Sequence, residues 1–86
     1  MPEDVLSLTA RGLAYTHLGL YDQALADFDA VLQLDPRHAT ALRGRGYAHE
    51  LSGRRAQAIA DYERARLLEP EDEWTLAKLR YLERQD

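Results

Sequence analysis

Apolar residues recur three and four positions apart along most of this chain. In the first half they run from Val5 to Leu18 and again from Tyr21 to Leu34. This spacing places them on one face of a helix, and no stretch alternates with the period of two expected of a strand. The same spacing predicts further helices near residues 39–52, 55–68 and 73–85. We therefore expect an all-α protein of five helices.

Glycine and proline residues separate the predicted helices. Gly19 follows the first apolar stretch and supplies a helix stop. Pro36 and Pro70 follow the second and fourth stretches. Proline donates no amide and disfavours helix in the residue before it. The two prolines therefore divide the chain into units.

The pattern of the first unit returns 34 residues later, because residues 5–38 align with residues 39–72 without a gap. The identical pairs include Leu8 and Leu42, Gly12 and Gly46, Ala24 and Ala58, Asp27 and Asp61, and Pro36 and Pro70. A fixed period of this size indicates stacked structural units, each unable to bury its apolar face alone. We expect a single domain over residues 1–86, with a capping helix over residues 73–86.

Small residues indicate how the two helices of each unit pair. We expect Gly12 to face Ala24, and Gly46 to face Ala58, so that the two backbones approach closely. A glycine inside a helix costs about 1 kcal/mol relative to alanine. Its return at the same place in both units suggests that packing offsets this cost. Aromatic side chains, Phe28 in the first unit and Tyr62 in the second, would fill the space beside the contact.

These residues carry a resemblance to a known family. The first unit supplies Leu8, Gly12, Tyr15, Gly19, Tyr21, Ala24, Phe28 and Pro36, and the second supplies Leu42, Gly46, Gly53, Ala58, Tyr62, Ala65 and Pro70. The pattern resembles the tetratricopeptide repeat, a helical hairpin with small and aromatic residues at set places. The resemblance implies antiparallel hairpins stacked as a short right-handed superhelix, an α-solenoid. Residues 73–86 then correspond to the first helix of a third unit.

The chain departs from the family pattern at four places. His49 and Arg55 stand where aromatic residues are usual, and Arg11 and Arg45 where leucine is commoner. A partly buried charge is unfavourable unless it is paired. Because Asp27 and Asp61 follow the two arginines at the same spacing of 16 residues, we expect structural Arg–Asp ion pairs. These are Arg11–Asp27 and Arg45–Asp61 within units, or Arg45–Asp27 across them.

The last predicted helix is typical of a cap, and Leu76, Leu79 and Leu82 are expected to face inward. Arg80 occupies the place of Gly12 and Gly46, so a following helix could not approach closely there. Two and a half units is short, because at least three repeats are usually needed for stability. Self-association would be one remedy. The chain could also be a capping fragment of a longer repeat protein.

The sequence contains little that could support catalysis. The three histidines, His17, His38 and His49, show no helical pairing with one another, so we expect no metal site. Ser7 and Ser52 lack the neighbours of a nucleophile. The glycines are explained by helix packing and helix ends rather than by a phosphate-binding loop. We expect no cofactor and no enzymatic activity.

Composition and charge argue against several further classes of protein. The net charge of −4 argues against general nucleic-acid binding. No apolar run is long enough to cross a membrane, and the chain contains no cysteine. The start of the chain is acidic, unlike a secretory signal. We therefore expect a cytoplasmic protein. Charge is uneven, with six acidic residues against one arginine in residues 1–36 and seven arginines against three acidic residues in residues 37–66.

The family resemblance implies that the first helix of each unit lines an inner groove, and that this groove binds a peptide or helix of another protein. The predicted groove residues are Leu6, Thr9, Leu13, Thr16 and His17, then Thr40, Arg43, Gly44, Tyr47 and Glu50, then Trp74, Lys78 and Tyr81. Leu13, Tyr47 and Tyr81 occupy equivalent places and are expected to form a row. Aromatic residues and arginine commonly anchor interfaces.

Two alternatives remain open for these aromatic residues. Tyr47 and Tyr81 could instead pack between neighbouring helices. For Trp74, near the start of the terminal helix, packing or a dimer contact is favoured over ligand binding. The leading hypothesis is a non-catalytic adaptor that binds a partner protein of unknown identity, and the alternative is a homo-oligomerisation module.

One subclass of partner can be addressed from the sequence. Family members that bind the acidic C-terminal tails of heat-shock chaperones carry Lys, Asn and Arg along their inner helices. The corresponding places here hold Thr9, Leu13, Gly44, Trp74 and Lys78. Because only Lys78 is basic, we expect that chaperone tails are not the ligand.

Overall fold

The computed structural model describes residues 4–84, so residues 85 and 86 of the predicted capping segment lie outside the described range. The helices are α1 (Val5–His17), α2 (Tyr21–Leu34), α3 (Ala39–Leu51), α4 (Arg55–Leu68) and α5 (Glu73–Glu83). No strand occurs between residues 4 and 84. The predicted all-α fold of five helices is confirmed.

Three helices begin at side chains spaced 34 residues apart. Asp4 and Asp72 accept hydrogen bonds from the backbone amide three residues further on, at 2.7 Å and 2.9 Å. At the equivalent place before α3, His38 Nδ1 accepts the amide of Ala41 at 3.1 Å. Each bond satisfies one of the amides that the first turn of a helix leaves unpaired. The imidazole nitrogen of His38 therefore caps α3 in the way that the carboxylates of Asp4 and Asp72 cap α1 and α5.

The turns inside both units use glycine in the same way. Gly19 and Gly53 adopt φ of 79° and 83°, a left-handed conformation that glycine adopts without steric cost. The amide after each glycine donates to a carbonyl five residues earlier, at 2.9 Å to Tyr15 and 2.8 Å to His49. These bonds close α1 and α3 and direct the chain into the second helix of each hairpin.

The helices stack in sequence order. α1 packs against α2 and α3 packs against α4, forming two hairpins. α2 contacts α3 across the unit boundary, α4 contacts α5, and α1 contacts α3. The molecule is therefore elongated, measuring 44 × 26 × 17 Å, as expected of a short α-solenoid.

The close approach of α1, α2 and α3 centres on one aromatic ring. A Cβ added to Gly12 would lie 2.8 Å from the ring of Phe28, and one added to Gly44 would lie 2.5 Å from it. Phe28 has no exposed surface. The ring of α2 is therefore held between a glycine of its own unit and a glycine of the next.

The rings of Phe28 and Tyr62, predicted to lie beside the contact of the small residues, lie directly against the glycines. Ala24 and Ala58 are fully buried, and ring atoms of Phe28 and Tyr62 are the first that a Cβ on Gly12 or Gly46 would meet. A Cβ added to Gly46 would lie 2.8 Å from Tyr62. The physical reason is that a ring fills the volume left by a missing side chain better than a methyl group does.

The predicted Arg–Asp pairs are present in their within-unit form. Arg11 donates to both carboxylate oxygens of Asp27 at 2.8 Å. Arg45 donates to Asp61 at 2.9 Å and 2.8 Å, and also to Asp29 of the preceding unit at 3.0 Å. Asp27 and Asp61 are both buried. The partner across the unit boundary is thus Asp29, not Asp27.

α5 is attached to the second unit through its C-terminal end as well as its apolar face. Leu79 and Leu82 are buried as predicted, together with Thr75. Leu76, also expected to face inward, is only partly buried, because Thr75 takes the inner position at the start of the helix. Arg55 donates to the carbonyl of Leu82 at 2.9 Å. Arg55, which stands where the family usually has an aromatic residue, therefore caps the C-terminal end of α5.

Candidate functional site

A cavity opens where α1, α3 and α5 meet. Its volume is about 320 Å³, and its lining consists of Leu13, His17, Thr40, Arg43, Gly44, Tyr47 and Trp74. Every lining residue comes from the first helix of a unit or from α5. We refer to this set of seven residues as the inner groove.

Aromatic rings form a large part of the lining of the inner groove. The ring of Tyr47 meets Trp74 edge to face, with centroids 5.8 Å apart, and meets His17 at 6.4 Å. Trp74 also meets Tyr62, whose ring lies in the core, at 5.6 Å. Such edge-to-face contacts orient the rings by their quadrupoles. Because 43% of Trp74 remains exposed, its outer part is free to contact a ligand.

A network of polar side chains lies beside these rings. Lys78 donates to Glu50 at 3.3 Å, and Glu50 accepts the hydroxyl of Tyr62 at 2.8 Å. The ammonium of Lys78 lies 4.9 Å from the ring centre of Tyr47 and 5.5 Å from that of Trp74. Burial, followed by the bond to Glu50, raises the pKa of Tyr62, so this hydroxyl stays protonated and donates. The network therefore joins α5 to α3 and α4.

The second cation at the site is also paired. Arg43 donates to Glu69 at 2.6 Å and to the hydroxyl of Thr40 at 3.1 Å. The Arg43 side chain is 20% exposed and that of Glu69 is 54% exposed. The pair lies at the edge of the groove, where solvent weakens it.

Seven of the predicted groove residues of α1, α3 and α5 line the cavity: Leu13, His17, Thr40, Arg43, Gly44, Tyr47 and Trp74. Glu50 and Lys78 do not line the cavity and belong to the polar network beside the rings. Glu69 was not foreseen, and its only sequence signal is its place one repeat after Asp35 at the end of a helix.

Four predicted groove residues lie elsewhere. Thr9 and Thr16 are buried, and their hydroxyls donate to the carbonyls of Val5 and Gly12, four residues earlier in the same helix. A threonine satisfied in this way can face the interior of the protein. Leu6 and Tyr81 are 77% and 56% exposed and do not line the cavity. The expected row therefore contains Leu13 and Tyr47 but ends before Tyr81.

The described residues, 4–84, contain no group of three side chains placed to hold a metal ion. Over the same range, no helix combines the length and the apolar character that a bilayer crossing requires.

Comparison with solved structures gives similar folds along nearly the whole chain. An Arabidopsis OM64 TPR domain superposes with a TM-score of 0.92 at 25% identity, covering 96% of this chain and 69% of that one. The first TPR of Spaghetti (RPAP3), bound to the HSP90 peptide SRMEEVD, gives 0.89 at 28% identity, covering 93% and 64%. The second TPR domain of human RPAP3, in complex with the HSP70 peptide SGPTIEEVD, gives 0.88 at 27% identity, covering 95% and 68%. The chain thus spans about two thirds of these domains.

No curated protein matches the sequence significantly. Family models of the tetratricopeptide repeat match residues 5–38 and residues 39–72. These two ranges coincide with the units read from the sequence and with the two hairpins of the structure. This chain belongs to the tetratricopeptide repeat family.

Proposed function

We propose that this chain is a non-catalytic adaptor that binds a segment of a partner protein in the inner groove. The observation that carries the proposal is the cavity of about 320 Å³ whose lining is drawn from α1, α3 and α5. Side chains contributed by rigid, repeated elements form a preorganised surface, so little ordering is needed when a ligand binds.

The chemistry of the lining supports a protein ligand. Tyr47, Trp74 and Arg43 are residue types that are enriched at interface anchors. Two similar solved domains, from RPAP3, hold chaperone peptides. Peptide binding by those domains makes the equivalent surface here the first place to test.

The proposal can be tested by site-specific photocrosslinking. An 86-residue chain is within reach of chemical synthesis, which allows photo-leucine, a near isostere of leucine, to replace Leu13 in the groove. The matched control carries photo-leucine at Leu67, which is 73% exposed and lies outside the groove. We expect adducts with discrete partner segments from position 13 only. Equal adducts from both positions, or adducts from position 67 alone, would refute groove binding.

Self-association is the alternative function, favoured by several large apolar side chains with high exposure. These are Leu6, Leu18, Leu34 and Leu67, each at least 65% exposed. Sedimentation velocity over a wide concentration range distinguishes the two. A monomer at all concentrations removes this alternative, whereas a tight dimer that loses its affinity in Leu34→Ser or Leu67→Ser would favour it.

A further inference from the structure

We infer that the inner groove selects an uncharged internal segment that inserts one large apolar side chain between Leu13 and the Tyr47–Trp74 pair. It does not select an acidic chain terminus. This inference rests on the proposed function and names the chemistry of its ligand. Three observations carry it: the apolar surface of the cavity, the state of Lys78 and the state of Arg43.

The size of the cavity suits one side chain. About 320 Å³ lies at the lower end of the range of about 300–1,000 Å³ that is typical of small-ligand pockets. Its lining includes the side chain of Leu13 and the rings of Tyr47 and Trp74. A leucine or phenylalanine of the ligand would bury its apolar surface there, which is the main favourable term in such contacts.

Lys78 is not available to an acidic ligand. Its ammonium is bonded to Glu50 and lies against both rings, and its side chain is 25% exposed. The Glu50 side chain is only 13% exposed. A ligand carboxylate that drew Lys78 away would leave Glu50 partly buried without its cation, and removing one partner of such a pair is costly.

Arg43 is also paired, although its acidic partner is more exposed than Glu50. Glu69 accepts from it at 2.6 Å, so the edge of the groove carries no net positive charge from this residue. Within the lining, His17 is then the one remaining titratable side chain besides Tyr47. A groove in which both cations are paired attracts an acidic tail weakly, while its apolar surface remains open.

The test compares blocked neutral peptides with an acidic tail. The neutral probes are acetyl-Gly-Ser-Xaa-Ser-Gly-amide with Leu, Phe or Ala at Xaa, and the acidic probe is SRMEEVD with a free terminus. Binding to ¹⁵N-labelled protein is followed by the indole N–H resonance of Trp74. We expect saturable shifts with Leu and Phe, none with Ala, and an affinity for SRMEEVD weaker by about tenfold or more.

Two variants check that the binding site is the cavity. Thr40→Phe places a ring in the cavity without changing charge, and its matched control, Ala60→Phe, adds the same ring to an exposed position of α4. We expect the first variant to abolish the shifts produced by the Leu and Phe probes and the second to keep them. Equal loss or equal retention in both variants would overturn the inference.

Glu50→Gln checks the role of the paired lysine. Glutamine still accepts the hydroxyl of Tyr62 but frees the charge of Lys78, so affinity for SRMEEVD should rise by about tenfold. The control Glu63→Gln removes an acid that pairs with Arg66 outside the groove, and it should leave affinity unchanged.

The outcomes separate the inference from the proposed function. Salt-sensitive binding of SRMEEVD to the wild-type protein, tighter than that of the neutral probes, would overturn the inference and leave groove binding intact. If no probe shifts the Trp74 resonance, the inference is also overturned, and the crosslinking at position 13 then decides the proposed function alone.

Discussion

His38 is the exception among three equivalent residues that begin α1, α3 and α5. Asp4 and Asp72 use a carboxylate to accept the first-turn amide, and His38 uses the neutral Nδ1 of its imidazole. A carboxylate also interacts favourably with the positive end of the helix dipole, which a neutral ring does not. The chain therefore contains, in its own repeats, a better version of the cap before α3.

Replacing His38 with aspartate should stabilise the protein by about 0.5–1 kcal/mol, because the cap is kept and a favourable charge is added. The free energy of unfolding, measured by urea denaturation near neutral pH, checks this prediction. His38→Ala serves as the control and should lower that free energy by about 0.5–2 kcal/mol. Equal stability in all three proteins would mean that the cap contributes nothing.

His49 is the second unusual histidine. Its Nε2 lies 3.8 Å from Asp61, and its buried Nδ1 has no hydrogen-bond partner among residues 4–84. Burial lowers the pKa of His49; the negative charge of Asp61 raises this pKa by a smaller amount, and the positive charge of Arg45 lowers it further. The unfolded chain therefore takes up a proton at His49 more readily than the folded chain does.

The free energy of unfolding should accordingly fall as pH decreases through the ordinary histidine pKa of about 6.5, and should be insensitive to His49 well above it. His49→Phe removes this dependence between about pH 8 and about pH 5. Urea denaturation across that range, compared between the wild-type protein and His49→Phe, checks the prediction. An unchanged slope in His49→Phe would show that His49 is not responsible.

Among the helices, two contacts determine how one unit rests on the next. The Phe28 ring of α2 lies between Gly12 of α1 and Gly44 of α3. Arg45 of α3 bonds both to Asp61 of its own unit and to Asp29 of the preceding one. The apolar contact requires close approach of the helices, and the polar contact limits how they can rotate against each other.

Gly46→Leu tests the close approach inside the second hairpin. A leucine there would displace the ring of Tyr62, which lies 2.8 Å from the position of a Cβ, at a cost of about 1–3 kcal/mol or more. The control Ala60→Leu lies on the exposed face of α4 and should change stability by no more than about 0.5 kcal/mol. An unchanged melting temperature in Gly46→Leu would refute this packing.

A double-mutant cycle on Arg45 and Asp61 tests the polar contact. The Asp61 side chain is 6% exposed, and Arg45→Ala would leave this carboxylate buried without its cation, at a cost of about 3–5 kcal/mol. We expect a coupling free energy of about 1–3 kcal/mol between the two residues.

The exposed pair Arg66–Glu63 is the matched control for this cycle. Its side chains are 38% and 42% exposed, so the coupling should be about 0–1 kcal/mol. Equal coupling in the two cycles would mean that burial of the carboxylate does not strengthen the Arg45 pair.

In the whole molecule, the uneven charge along the chain corresponds to contacts between successive elements. An aspartate of the acidic first unit, Asp29, meets Arg45 of the basic second unit, and Arg43 reaches Glu69 at the end of α4. At the C-terminal end, α5 is held by Arg55 and Lys78 as well as by its apolar face. Arg80 is exposed there, where the two earlier units have a buried glycine.

The fluorescence of Trp74 tests whether α5 packs on the second hairpin. Its contacts with Tyr47 and Tyr62 remove part of the indole from water, so native emission should be blue-shifted relative to free tryptophan and should move to the red on unfolding. Fluorescence during urea denaturation checks this. Native emission equal to that of free tryptophan would mean that α5 does not pack on the second hairpin in solution.

Features repeated along the chain were predictable from the sequence. The five helices, the two units, the turns at Gly19 and Gly53 and the within-unit partners of Arg11 and Arg45 follow from spacing that is local or that recurs with the same period. A repeated pattern reports the same physical constraint twice, which makes coincidence a poor explanation. Part of the groove, including Leu13 and Tyr47, followed from the same reasoning because equivalent residues of stacked units lie side by side.

Other features depended on how the helices rotate and stack, which a single period does not encode. The orientation of α1 buries Thr9 and Thr16 and leaves Leu13 in the groove. The ring of Phe28 lies against both Gly12 and Gly44, and the contact with Gly44 of the next unit depends on how the units stack. The pairing of Lys78 with Glu50 joins residues 28 positions apart on different helices, so it arises only when α5 is placed against α3. Contacts that occur at only one place in the stack are selected by volume and charge in three dimensions, and they leave no periodic trace along the chain.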